Sequence, residues 1–431
     1  MSPTILKFIC VFMLMSASAI ALDAGVAVCD ITPDVEMYNI PMAGYGARNG
    51  KPSTGVHDRL LAKVMYLRER DVQAVLITCD LRSMTPEIKQ GIVDKVKDLG
   101  LTLDNVMVCA SHNHSGPSFY REKFWQLQFG EFDPAILTPM TSNIADALRR
   151  AHDSAAPVNV GFIRRKAEGF TRNRRWQYDE QRRVANGETP AINPALSVIR
   201  LDKNDGHPLA ILVHFATHPT ILGADNMHLS AEWPGVLQRD VEAAFPGAVA
   251  MFANGAEGDQ APAGATGDDA YARVEDFGGR LAAIAVGLAR DVESKPDVRL
   301  NVGRVTPELP PFEFSESART GRYANLMSMA KEQLPRRAEI QLIQLGDWAF
   351  VGLPGEPVCA VGWATEAWIR NAGFSEAIVI GLANDYVGYI LNAQEYGHGG
   401  YEVDLRSYYG PGLGSFIGRE AGRLAKSISM K

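Results

Sequence analysis

The feature that most limits the fold of this chain is the alternation of short β-branched runs with longer amphipathic runs. Residues 72–79 and 105–110 predict strands, and residues 86–99 and 134–153 predict helices that follow them. Strands that alternate with helices in this way indicate an α/β fold, in which helices cover the faces of a sheet.

Two turn signals interrupt this alternation. Asn-Asp-Gly at 204–206 separates apolar runs at 196–201 and 210–216, and Gly-Asp at 346–347 separates two others. Such turns join antiparallel strands. We therefore predict an α/β fold with a mixed β-sheet core and flanking helices. Further helices are predicted at 233–245, 271–292, 357–371 and 415–429.

The N-terminus has the form of a signal peptide. Lys7 precedes an apolar run at 8–15, and Ala-Ile-Ala at 19–21 matches the A-x-A cleavage pattern. A buried N-terminal strand or helix is the alternative interpretation. The run is too short to cross a bilayer, and no later segment is long and apolar enough to do so. We predict a signal peptide over 1–21 and a secreted or periplasmic mature chain, 22–431, without a transmembrane segment.

Charge and cysteine content exclude two classes of protein. A formal net charge of −7 does not suit general nucleic-acid binding, which needs a basic face. No CxxC pair occurs, so a cysteine zinc knuckle is excluded. The cysteines after residue 21 resemble small core residues.

One basic stretch, 164–183, indicates either a solvated loop and edge strand or an anion-recognising rim. The sequence does not determine an oligomeric state.

Two of the nine histidines lie together in Ser-His-Asn-His-Ser-Gly-Pro at 111–117, directly after a predicted strand. Residues that leave the carboxyl end of a strand line the ligand crevice of α/β sheets. A His-x-His pair on an extended backbone points both rings to one side, so His112 and His114 can address one ion or substrate. A pair of hydrogen-bonded loop histidines is the alternative.

Three more strand ends carry polar side chains. In the run 214–220, proline ends the strand after His218, which is interpreted as a ligand, with His214 as a core or supporting residue. Glu356 follows another predicted strand, where its alternative role is to stabilise a helix dipole. Tyr389 follows a fourth strand-like run, although a single tyrosine is usually structural. Together these residues offer the nitrogen and oxygen donors that zinc takes.

The motifs at these strand ends resemble the catalytic domain of the neutral/alkaline ceramidase family. Each motif is moderately specific, but their order and spacing are similar to those of the family from about residue 24 to the last helix. The matching segments are CDITP at 29–33, SHNHSGP at 111–117, FATHPT at 215–220, LPGE at 353–356 and NDYVGY at 384–389.

The resemblance implies a particular set of site residues. The implied zinc ligands are His112, His218, Glu356 and Tyr389. His114 is implied to face the substrate carbonyl or the water at the zinc, and Arg174 to contact the substrate. Asp259 is expected to orient a ligand. Either His114 or Tyr401 is expected to be the general acid.

The implied activity is that of a zinc-dependent amidohydrolase that cleaves an N-acyl amide bond, in a ceramide-like lipid or related compound, with zinc-activated water. Two departures bear on the substrate. Ala261 stands where the family has a serine, and the chain ends near the close of the catalytic domain, so no C-terminal immunoglobulin-like domain is expected. The alternatives are an esterase or amidase for a polar substrate (an acyl amino acid, peptide or acylated sugar) and a catalytically inactive zinc-binding relative.

Overall fold

The structure, a computed structural model, describes residues 22–119, 122–296, 298–321 and 324–430. The predicted signal peptide, 1–21, lies outside the described residues.

The strands, in chain order, are β1 (Leu22–Asp30), β2 (Gly55–Val56), β3 (Leu61–Glu69), β4 (Val72–Cys79), β5 (Val106–Ala110), β6 (Ala156–Lys166), β7 (Thr171–Asn173), β8 (Ala195–Lys203), β9 (Pro208–Phe215), β10 (His228–Leu229), β11 (Val249–Asn254), β12 (Gln260–Pro262), β13 (Leu300–Val305), β14 (Ile340–Leu345), β15 (Trp348–Gly352), β16 (Glu356–Pro357), β17 (Glu376–Ile380) and β18 (Tyr389–Ile390).

The α-helices are α1 (Pro86–Val93), α2 (Lys123–Phe129), α3 (Leu137–Asp153), α4 (Glu180–Ala185), α5 (Glu232–Ala244), α6 (Ala270–Asp291), α7 (Glu316–Thr320), α8 (Ala324–Gln333), α9 (Cys359–Asn371), α10 (Ala393–Gly397), α11 (Tyr401–Arg406) and α12 (Leu413–Ser429).

A mixed eight-stranded sheet forms the centre of the fold, in the order β11-β9-β8-β6-β1-β3-β4-β5. The pairs at its two edges, β9 with β11 and β4 with β5, are parallel, whereas the strands between them pair antiparallel. The hairpin predicted around 204–206 is the β8–β9 connection. The mixed sheet predicted from the sequence is therefore confirmed.

This sheet is strongly curled. In a flat sheet, its two edge strands would lie roughly 34 Å apart, which is seven strand spacings of about 4.8 Å. Instead β11 contacts both β4 and β5. The carboxyl ends of β5, β9 and β11 consequently meet on one side of the molecule.

A second sheet, ordered β13-β14-β15-β17, packs against the concave side of the first. The apolar core between them draws buried side chains from both sheets, including Leu76, Met107, Leu212, Phe350 and Ile378. Helices α1, α3, α5 and α6 cover the outer face of the large sheet, and α9 and α12 cover the small one. The result is a four-layer α/β/β/α arrangement.

The amphipathic pattern of α3 shows how these layers form. Its buried residues Ile144, Leu148 and Ala151 recur at helical spacing and face β1 and β3. The backbone of α3 approaches β1 so closely that a Cβ atom at Gly25 would lie 1.9 Å from the carbonyl oxygen of Ala151. A glycine is therefore required at this point of contact.

Several predicted helix boundaries differ from the structure. The helix predicted over 86–99 ends at Val93 and is followed by a short 3-10 turn at Lys97–Leu99. Likewise, Pro134–Ile136 is a 3-10 turn that precedes α3. Helix α9 begins at Cys359, so Glu356 lies in strand β16 and is not a first-turn residue. The four described cysteines are free, and three of them are buried.

Among the helices of the described ranges, none combines the length and apolar character needed to cross a membrane.

Candidate metal centre

His112 follows β5 and is completely buried. Its backbone has a φ of 72°, so the His-x-His segment is not extended as predicted from the sequence. The left-handed turn nevertheless brings His112 Nε2 to 3.3 Å from His114 Nε2. His112 Nδ1 lies 2.7 Å from the carbonyl oxygen of Arg82. Because a carbonyl oxygen only accepts, Nδ1 carries a ring proton, and this hydrogen bond fixes the ring so that Nε2 points to the centre.

His218 follows β9, and its ring is oriented in the same way, by hydrogen bonds from Nδ1 to backbone carbonyl oxygens. Its Nδ1 lies 2.8 Å from the carbonyl oxygen of Glu257 and 3.0 Å from that of Gln260, which places the proton on Nδ1. Burial lowers the pKa of His218 to about 3, so the ring is neutral at ordinary pH. Its Nε2 is buried, has no hydrogen-bond partner among the described residues, and lies 3.3 Å from Glu356 Oε2.

Glu356 faces both imidazoles. Its Oε2 lies 3.2 Å from His112 Nε2 and 3.3 Å from His218 Nε2, while its Oε1 accepts hydrogen bonds from Tyr386 Oη (2.6 Å) and Arg82 Nη2 (3.1 Å). Burial favours the neutral carboxyl, but His112, His218 and Arg82 outweigh it and hold the pKa of Glu356 well below its usual range. The carboxylate is therefore ionised and held in place.

The donor set fits a metal ion. Two imidazoles, each oriented by a hydrogen bond at Nδ1, direct their Nε2 atoms at one carboxylate oxygen, and both His218 Nε2 and Glu356 Oε2 are buried without a hydrogen bond within the described ranges. Buried polar atoms are normally hydrogen-bonded. Backbone carbonyls that orient ligand histidines through Nδ1 are typical of metal sites. Residues His112, His114 and His218 also form a buried group whose ligand atoms lie within 4.8 Å of one another.

His114 lies at the outer side of this cluster and is 7% exposed. Its Nδ1 has no hydrogen-bond partner in the described structure, and its ring packs edge-on against Tyr45 at 4.9 Å. Burial, together with His112 and Arg82, lowers the pKa of His114 well below its usual value. His114 is therefore neutral and has one nitrogen available to a further group.

Tyr389 is the direct partner of Glu356 in the parallel β16–β18 pair, so both side chains project from the same face. Its Oη accepts a hydrogen bond of 2.7 Å from Arg174 Nη2. Burial raises the pKa of Tyr389 well above its usual value, and the charge of Arg174 opposes this shift. Arg174 is in turn held by Glu402 Oε1 at 3.0 Å.

Asp259 is buried beside the backbone of Arg174, where it contacts backbone and amide groups. Its Oδ1 accepts from the backbone N–H of Cys359 (2.8 Å), and its Oδ2 accepts from Asn173 Nδ2 (2.9 Å). Its carbonyl oxygen accepts from the N–H of Arg174 (2.8 Å). Burial raises the pKa of Asp259 to about 6. The structure thus places Asp259 against the backbone that carries Arg174, and not against an imidazole.

Tyr401 and His214 lie outside the cluster. The Tyr401 ring is 6.3 Å from that of Tyr389, and its Oη accepts from Arg406 Nε. His214 is buried and donates through Nε2 to the carbonyl oxygen of Val379 at 2.8 Å, as expected for a core residue. Ala261 lies in β12, opposite Arg172 of β7.

The basic stretch 164–183 is in part the solvated surface predicted from the sequence, since Arg165, Lys166, Arg172 and Arg182 are exposed, but its other arginines are buried or half-buried. Arg175 and Arg183 are buried, and both bind Glu395. Arg175 also binds Glu402, at 2.6 Å. These arginines form an internal ion-pair network that supports Arg174, because each cation is matched by a carboxylate from α10 or α11. Only part of the stretch, such as Arg182, is a solvated surface.

Sequence reasoning missed three residues around the cluster: Arg82, Tyr386 and Glu257. Arg82 and Tyr386 hold Glu356. Glu257 follows β11 in Gly-Ala-Glu-Gly-Asp, and its carboxylate belongs to a buried group with His112 and Glu356 that is able to hold a metal ion. The apolar run at 249–253, which precedes it, was the available signal, since the other candidates were found at the ends of such runs.

The fold is that of an α/β protein. At the ends of its strands it carries a buried group of histidines and carboxylates of the kind that binds metal ions. Residues 22–274 match the family described as neutral/alkaline non-lysosomal ceramidase, N-terminal. The chain belongs to this family, which confirms the resemblance found in its motifs.

Individual relatives agree with this assignment. Neutral ceramidase of Mycobacterium tuberculosis is 23% identical over 471 residues, which cover 88% of this chain and 73% of that protein. Neutral ceramidase A of Dictyostelium discoideum is 25% identical over 255 residues, which cover 55% of this chain and 35% of that protein. The crystal structure of neutral ceramidase from Pseudomonas aeruginosa has a TM-score of 0.82 at 19% identity, over 95% of this chain and 75% of that chain. The two share a fold.

Proposed function

We propose that this protein is a zinc-dependent amidohydrolase that cleaves the N-acyl bond of a ceramide-like lipid or a related N-acyl compound. The observation that supports this most strongly is the convergence of two oriented, buried imidazoles on the carboxylate of Glu356. Membership of the ceramidase family supports the amide bond as the target.

His112, His218, Glu356 and Tyr389 are the residues proposed to hold the ion. When bound, zinc supplies a Lewis acid and lowers the pKa of water to about 7. Arg82 and Tyr386 keep the carboxylate of Glu356 in place, since both donate to Oε1 and leave Oε2 turned towards the imidazoles. Arg174 donates to Tyr389 Oη and so favours an oxygen lone pair that faces the centre.

His114 is proposed to move the proton. It is neutral, it lies 3.3 Å from His112, and one of its nitrogens has no partner among the described residues. A group in this position can take a proton from the attacking water and deliver it to the leaving amine. The Tyr401 ring lies 6.3 Å from the Tyr389 ring and its Oη accepts from Arg406, whereas His114 contacts His112 directly, so we assign His114 as the acid.

Arg174 is proposed to stabilise negative charge on the substrate. Its Nε and Nη2 are fixed by Glu402, Gly258 and Tyr389. A fixed cation in a site with little water stabilises a developing oxyanion without having to reorient. Ala261 carries no hydroxyl, so this mechanism uses no serine at that position.

The test is a joint measurement of metal content and hydrolysis on the purified mature chain. The substrates are short- and long-chain N-acyl amides, including a ceramide, with an N-acyl amino acid as the polar comparison. One zinc per chain and amide cleavage that stops on chelation and returns with zinc are expected. A protein without bound zinc would contradict the four-ligand centre. Zinc binding without turnover of any amide would contradict the activity.

Export is part of the same proposal. Residues 1–21 are proposed to be a signal peptide cleaved after Ala21. N-terminal sequencing of the protein from its native host is expected to begin at Leu22, and a retained Lys7 would exclude cleavage.

A further inference from the structure

Glu257 is a carboxylate that no step above uses. It lies in the loop between β11 and β12, and its side chain is completely buried. Both of its carboxylate oxygens lack a hydrogen-bond partner in the described part of the chain. A buried carboxyl group in this state is costly, because it has lost its water without gaining a hydrogen-bond partner.

The position of Glu257 is well defined. Its carbonyl oxygen accepts from His218 Nδ1 at 2.8 Å and from the backbone N–H of Gln260 at 2.8 Å. Its Oε2 occupies space beside Gly381, where a Cβ atom would lie 2.6 Å away. The same residue therefore orients one candidate ligand through its backbone, and its side chain fills a place left open by a glycine.

The side chain also points into the centre. One oxygen of Glu257, one nitrogen of His112 and one oxygen of Glu356 all lie within 4.8 Å of one another. Ligand atoms that each bind a tetrahedral zinc ion at about 2.1 Å would lie about 3.4 Å apart. The three atoms are therefore within about 1.4 Å of the spacing that one cation would require.

Charge supports the same conclusion. Glu257 and Glu356 bring two carboxylates into one buried space, and none of the described lysine or arginine side chains forms a hydrogen bond with Glu257. Together the two carboxyl groups supply oxygen donors of the kind that zinc takes, and a divalent cation between them would match their charge.

We infer that Glu257 is an additional ligand of the metal centre, so that the bound ion receives two carboxylates as well as its histidines. This inference rests on the proposed function, because it assigns a further ligand to the same zinc. It also makes the loop between β11 and β12 part of the metal site, in addition to the four strand ends recognised in the sequence.

The test compares zinc binding by the wild-type chain, E257Q and a control, E366Q. Glu366 is a partly buried carboxylate of α9, with a side chain that is 12% exposed, and it pairs with Arg164 and Arg370. Zinc affinity is measured by competition with a chromophoric chelator after the metal has been stripped, and coordination by the visible spectrum of the cobalt-substituted proteins. We expect E257Q to bind zinc at least tenfold more weakly and to change the cobalt spectrum, and E366Q to match the wild type.

Each other outcome is also informative. E257Q with wild-type affinity and cobalt spectrum overturns the inference and leaves the proposed function intact. A wild-type chain that binds no zinc overturns both. The metal-free E257Q chain should melt no lower than the metal-free wild type, because an amide replaces a buried carboxyl group of the same shape that has no hydrogen-bond partner among the described residues. Failure of E257Q to fold would show that the carboxylate stabilises the fold by itself, and would also overturn the inference.

Discussion

The side-chain amide of Asn254, at the end of β11, donates a 2.9 Å hydrogen bond to the carbonyl oxygen of Ser111, directly after β5. These residues extend from the two opposite edge strands of the eight-stranded sheet. The same Nδ2 donates to the carbonyl oxygen of Thr217 at 3.0 Å, and Oδ1 accepts from the N–H groups of Thr217 and Gly255. One buried amide thus joins the segments that carry His112, His218 and Glu257.

Replacing Asn254 with alanine should therefore damage both the fold and the centre. The substitution leaves buried backbone donors and acceptors unpaired, and we expect it to lower the free energy of unfolding by about 3 kcal/mol. Urea denaturation of the metal-free protein measures this loss. Zinc affinity should fall as well, since the histidine-bearing segments lose their common partner. Unchanged stability would show that water replaces the amide.

His112→Ala should abolish zinc binding and hydrolysis together. Removing a ligand should cost more than the about 10–100-fold loss typical of an outer partner of a ligand. His214→Gln is the matched control, because His214 is also buried but its Nε2 hydrogen-bonds to the carbonyl oxygen of Val379. Zinc content by mass spectrometry distinguishes the two variants. An active His112→Ala protein would exclude His112 as a ligand.

Arg174→Lys should slow catalysis while zinc stays bound. Lysine keeps the charge but cannot bind Glu402, Gly258 and Tyr389 at the same time. We expect kcat to fall by about 10–100-fold, as when one donor to a developing oxyanion is lost. Arg182→Lys, on the solvated part of the same stretch, should have no effect. A higher KM with an unchanged kcat would instead indicate that Arg174 binds the substrate without stabilising the transition state.

Ala261→Ser should leave the zinc content unchanged. The residue lies in β12 and none of the candidate ligands is its strand partner. A hydroxyl at this position restores the residue type of the family motif. If turnover of ceramide rises relative to that of an N-acyl amino acid, Ala261 determines the substrate preference. Loss of zinc would show that position 261 contacts the centre.

Because His214 is buried, we predict that part of the free energy of unfolding is lost in acid. Burial lowers the pKa of His214 from the ordinary value of 6.5 to about 4. The folded state therefore favours the neutral ring, and this stabilisation is complete above pH 6.5 and declines as the pH falls towards 4. The shift corresponds to about 3 kcal/mol. A proton on Nδ1 would also lack an acceptor among the described residues.

His214→Gln removes this titration, so its free energy of unfolding should fall less steeply between pH 6.5 and 4 than that of the wild type. His207→Gln, on an exposed turn, is the control and should retain the wild-type slope. Chemical denaturation at pH 7 and pH 4.5 provides the comparison. Equal slopes for His214→Gln and the wild type would place the acid-sensitive group elsewhere.

Much of the fold was predictable because its signals are local. The β-branched run at 72–79 is a strand with the predicted bounds, β4, and Asn-Asp-Gly at 204–206 joins an antiparallel pair. The motif histidines were identified because they follow strands, and strand ends line the crevices of α/β proteins. Boundaries such as the end of α1 at Val93 were missed, since a short 3-10 turn continues an apolar pattern that resembles the helix.

The sequence by itself thus determined the class of fold, the family and the residue types at four strand ends, because periodicity and motif order are properties of neighbouring residues. Only the tertiary structure decided which of these ends meet. The curl of the large sheet brings β5 to β11, the ion pairs of Arg175 and Glu402 hold Arg174, and the loop after β11 turns Glu257 inwards. These contacts join residues far apart in the chain, and their burial depends on the packing of both sheets, which no local pattern records.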